Sequence, residues 1–125
     1  MKRTLIALAA AAALPLVALA HEVARGPNGG PVVDSSGHHV EMVATGKDLV
    51  LYLSEEADKP LASAGAKNAR AIVQDGGKTA TVQRAPAEPN KLVGTLAQPL
   101  GKGARVVVSA TMADGHAVQA RFVND

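Results

Sequence analysis

Short runs of alternating apolar and polar residues, each cut within about ten residues by a glycine, a proline or an Asn/Asp turn, fill the chain from Pro31 to Val123. No long 3.6-residue period competes with them. A chain punctuated this often has no room for long helices, so its core must come from paired strands.

The clearest turn is Asp75-Gly76-Gly77, a hairpin signal between runs at Asn68–Gln74 and Lys78–Arg84. Upstream, Pro31–Val33 reads as a short first strand closed by the turn Asp34–Gly37. From His38 the chain alternates: Val40, Met42 and Ala44 share one face, while His39 and Glu41 take the other. Beyond Gly46-Lys47, Asp48–Ser54 forms the second arm of a hairpin, with Leu49, Leu51 and Leu53 inward. Glu55–Lys67 is a connection, with a short helix expected over Ser54–Asp58. Lys91–Leu96, Arg105–Thr111 and His116–Val123 supply the later strands, separated by breaks at Ala85–Asn90 and Pro99–Gly103. The expected fold is all-β: an immunoglobulin-like β-sandwich of seven to eight short antiparallel strands, with a small β-barrel as the alternative.

Residues 1–20 have a basic start at Lys2 and Arg3, an apolar stretch from Leu5 to Leu19 and a small-x-small site at Ala18-Leu19-Ala20. That is the pattern of a secretory signal peptide. The stretch is short for a bilayer span and is interrupted by Pro15, so no stable membrane insertion is expected after cleavage. The expected organisation is a cleaved leader at 1–20 and a single domain at 21–125 with a flexible N-terminal arm over 21–30, which implies a periplasmic protein. Two of the 13 Lys and Arg lie in the leader, which leaves 11 against 11 Asp and Glu. A neutral chain with one Tyr and one Phe offers no summed charge or stacking platform for nucleic acid.

The chain has no cysteine, which removes thiolate metal sites, disulfides and cysteine nucleophiles together. A metal site must therefore use histidine, carboxylate, methionine or backbone groups. Cleavage after Ala20 would make His21 the first residue, with an α-amine and an imidazole Nδ1 available to one ion. His39 and Glu41 stand two residues apart on one strand face, roughly 6–7 Å between Cα atoms, close enough to converge. His38 takes the core-edge parity and is expected behind the ligands as their support. His116 opens the last strand and is the other candidate. The expected ligands are thus His21, His39, Glu41 and His116, holding Cu(II) or Zn(II), with copper favoured because an amine with imidazoles suits tetragonal geometry. Met42 and Met112 belong to no methionine-rich run and read as structural.

No enzyme is expected. The chain has no Gly-x-Ser-x-Gly elbow and no His-Glu-x-x-His, and Gly26-Pro27-Asn28-Gly29-Gly30 leads into a strand instead of the helix that phosphate binding would use.

The segment Gly26-Pro27-Asn28-Gly29-Gly30-Pro31-Val32-Val33-Asp34, followed by His38-His39-Val40-Glu41-Met42-Val43, resembles a group of small secreted proteins of Gram-negative bacteria. It also looks like the N-terminal β-domain on some adaptor subunits of heavy-metal efflux pumps. In architecture alone the chain is similar to small periplasmic copper-resistance proteins that begin with histidine. The resemblance implies a periplasmic β-sandwich that handles metal, buffering it or delivering it to an efflux complex, and carries over most directly to His21, His39 and Glu41. The competing expectation is a metal-free module that offers a sheet edge or face to a protein partner.

Overall fold

The computed structural model describes residues 24–55 and 59–124. The leader, His21 and residues 56–58 of the expected short helix lie outside the described residues.

Among the described residues nine antiparallel strands form two sheets: β1 (Val32–Ser35), β2 (His38–Thr45), β3 (Asp48–Glu55), β4 (Lys67–Asp75), β5 (Lys78–Gln83), β6 (Ala85–Ala87), β7 (Lys91–Thr95), β8 (Arg105–Thr111) and β9 (Ala117–Val123). One sheet has the order β1-β2-β3-β7-β6 and the other β5-β4-β8-β9. With β2 taken as strand A, these orders match the A-B-E-D and C′-C-F-G sheets of the immunoglobulin fold, with β1 added at an edge. The sandwich expectation holds, and the barrel alternative does not, because the two sheets remain separate.

The turns explain the registers. Gly76 and Gly77 sit at φ 57° and 81°, the left-handed pair of a type I′ hairpin, so Asp75 lies opposite Lys78. Ser36-Gly37, at φ 49° and 86°, makes a similar turn that sets Ser35 opposite His38. Asp34 and Ser35 consequently belong to β1 and not to the turn expected over Asp34–Gly37. Ser54 and Glu55 continue β3 where a helix was expected.

The extra strand is β6, three residues within the expected break at 85–90. Pro86 can lie there because β6 is the edge of its sheet.

Inward residues meet between the sheets: Val40, Met42, Leu49, Leu51, Leu53 and Leu92 from one, and Ala71, Val106, Val108, Val118 and Phe122 from the other. Met42 and Met112 are both buried in this core. At the edges, β1 approaches β9, and the N–H of Gln119 donates to Ser35 Oγ at 3.1 Å. On the opposite side the chain itself passes from β5 to β6 through Arg84.

Arg84 is only 6% exposed. Its Nη2 donates to the carbonyls of Leu49 and, at 2.6 Å, Leu92, both in the facing sheet. Nε and Nη1 have no hydrogen-bond partner, and burial pulls the guanidinium pKa down to about 10. Gly94 makes room for it, since a Cβ there would stand 2.7 Å from Nη1.

Candidate functional site

Residues 24–30, ahead of β1, form a closed turn. Gly26 N–H donates to Gly30 O at 2.8 Å, and Gly29 N–H to Gly26 O at 3.0 Å. Val32 N–H reaches back to Ala24 O at 2.8 Å, and Met42 N–H reaches Pro31 O at 3.0 Å. The turn is thereby laid on the outer face of β2.

Glu41 lies beneath this turn, 4% exposed. Its Oε2 accepts from the N–H groups of Asn28 and Gly30 at 3.0 and 2.8 Å, and its Oε1 accepts from Asn28 Nδ2 at 3.0 Å. A carboxylate engaged this way satisfies its own burial and holds the turn. The structure thus gives Glu41, one of the expected ligands, an anchoring task, a role that alternation within β2 could not show.

His39 shares the outer face. Its Nδ1 pairs with Asp34, its cross-strand partner in β1, and its side chain is 34% exposed. It stands at the rim of a groove of about 750 Å³ between the turn and β3, lined also by Pro27, Asn28, Tyr52, Ser54 and Asn90.

His38 points the other way, as its parity requires, and meets a residue just ahead of β9 of the second sheet. Its ring stands edge to face with that of His116, centroids 6.0 Å apart and planes at 77°. His38 Nδ1 is buried and has no hydrogen-bond partner. The side chain of His116 is 68% exposed, and its Nδ1 lies 2.7 Å from Asp114 Oδ2. The backbone N–H of His116 donates to the other oxygen of Asp114 at 2.9 Å. This N–H bond, and then the bond to the ring, hold the Asp114 carboxyl below the usual value of 3.8.

The expected set is therefore divided. His116 joins His38, on the inward face of β2, and not His39, because neighbours along a strand project to opposite sides. His21 lies outside the described residues. Among the described residues no group of three or more His, Asp or Glu side chains is placed to hold a metal ion. Two imidazoles bonded tetrahedrally to one ion at about 2.0–2.1 Å keep their centroids roughly 5 Å apart, closer than the 6.0 Å of the His38–His116 pair. The Asp114 contact at Nδ1 leaves His116 Nε2 as the nitrogen open to a ligand, the arrangement in which a carboxylate orients a metal-binding histidine.

No family profile matches the chain, and neither does any curated protein. Among solved structures, the archaellum periplasmic stator protein FlaG from Sulfolobus acidocaldarius is similar at 15% identity with a TM-score of 0.37, over 66% of this chain and 99% of that one. A likeness at that distance says nothing of function.

Proposed function

We propose that the chain is an exported protein of the bacterial envelope that binds a divalent transition metal, Cu(II) or Zn(II), and buffers it or passes it to an efflux system. The observation that carries this reading is the His38–His116 pair: a buried Nδ1 without a partner beside an imidazole held by Asp114. Two protein nitrogens leave coordination positions open, which suits a site that exchanges its ion more than one that locks it in. The leader pattern supports export, and among the described residues no helix is long and apolar enough to cross a membrane.

Calorimetric titration of the exported protein with Cu(II) and with Zn(II) tests the reading. His38→Ala and His116→Ala should each abolish binding, whereas His39→Ala should leave it unchanged. Binding that survives both of the first two changes, or that is no tighter than to a free histidine-containing peptide, would sink the proposal.

A further inference from the structure

The near-equal count of positive and negative side chains hides an uneven distribution. On the outer face of the β5-β4-β8-β9 sheet the strand registers place Arg70, Arg105 and Arg121, with Lys67 at one end. All four are exposed, and none pairs with a carboxylate among the described residues. The remaining outward positions of these strands are Asn, Thr, Gln, Ser, Ala, Ile and Val, so these strands place no acidic side chain on the face. The outer face of the other sheet differs: it holds Asp34, Glu41, Asp48 and Lys91 together.

The registers also fix the spacing. Val107 lies opposite Arg121, and Arg105 opposite Val123, so Arg105 and Arg121 are diagonal neighbours, roughly 7–8 Å apart. Unpaired like charges at that distance repel each other, and an anion lying across both relieves the repulsion. Ile72 and Val107 are half-buried at the centre of the face, and Val123, 59% exposed, is at its margin.

We infer that this face docks on an anionic lipid surface. Four cations spread over a flat sheet around a small apolar centre match a plane of phosphate headgroups, and arginine engages phosphate through two N–H groups at once. This inference does not depend on the metal reading, because none of His38, His39 and His116 lies on the face.

Co-sedimentation of the exported protein with vesicles tests it, using phosphatidylcholine mixed with phosphatidylglycerol against phosphatidylcholine alone. Binding is expected only to the mixed vesicles and should weaken as salt is raised. Each arginine contributes about a fivefold factor near an anionic surface, so Arg105→Gln with Arg121→Gln should weaken binding about 25-fold. Lys91→Gln, on the other sheet, should leave it unchanged. Circular dichroism of each variant separates lost binding from lost folding. Equal binding to neutral vesicles, equal loss with Lys91→Gln, or retention of an acidic polypeptide without retention of the vesicles would overturn the inference, the last by assigning the face to a protein partner.

Discussion

The backbone N–H of Gly30 donates at 2.8 Å to Oε2 of Glu41, a fully buried bond between the N-terminal turn and the outer face of β2. One carboxylate thus serves both the Asn28 and Gly30 N–H groups. Glu41→Ala would leave both donors without their acceptor, and the expected loss is about 1–3 kcal/mol for each group that stays buried. Urea unfolding measures the sum. Hydrogen exchange at Gly30 should accelerate by more than the global loss of stability explains.

Gly30 itself tolerates no side chain. A Cβ at this position would collide with the carbonyl oxygen of Met42, and the obstacle is backbone within a strand, which cannot rotate aside. Gly30→Ala should therefore cost about 1–3 kcal/mol, in the range of an overpacked core. Thermal unfolding of the single variant checks this.

Arg84 makes a prediction at alkaline pH. Its folded pKa of about 10 lies below the ordinary guanidinium value, so between these values the unfolded chain binds more protons than the folded one. The contribution of this group to stability is complete only above the ordinary guanidinium value and is lost as pH falls through about 10. Relative to Arg84→Met, which has nothing to titrate, the native protein should gain stability between about pH 9 and 11. Urea midpoints of both proteins across that window test the sign. Arg84→Ala, which also leaves a cavity and abandons two carbonyls, should cost about 2–5 kcal/mol at neutral pH.

Asp114 acts at the acid end. The backbone N–H of His116, and next its ring, lower the Asp114 pKa below 3.8. Its contribution is present above 3.8 and is lost as pH falls through the depressed folded value. Carbon-detected NMR titration of the Asp114 carboxyl should show the pKa moving up toward the ordinary value in His116→Ala, but only partly, because the backbone donor remains.

Much of the sandwich was legible in the sequence, since each strand carries its own period and each hairpin its own glycines. The face assignments in β2 and β3 hold because Val40, Met42, Leu49, Leu51 and Leu53 alternate without exception and all reach the core. Strand β6 escaped because three residues centred on a proline have no period to detect. The site was less legible. Parity did place His38 and His39 on opposite faces, but which of them meets His116 depends on how the two sheets are superposed, and no local pattern records that. Glu41 looked like a ligand because a lone carboxylate beside a histidine carries no sign of whether a neighbouring loop will occupy it. Arg84 could have been found: it shares the inward parity of Ala80 and Val82, a position where a charge needs explaining.

The bond from Gln119 to Ser35 Oγ joins the last strand to the first. As the chain emerges N-terminus first, β2 and β3 can pair as soon as their hairpin is free, but β1 must wait for the final residues before β9 lies against it. Until then the chain exposes an open strand margin to its neighbours, and this is the interval in which a partly made copy is most exposed to mispairing with another.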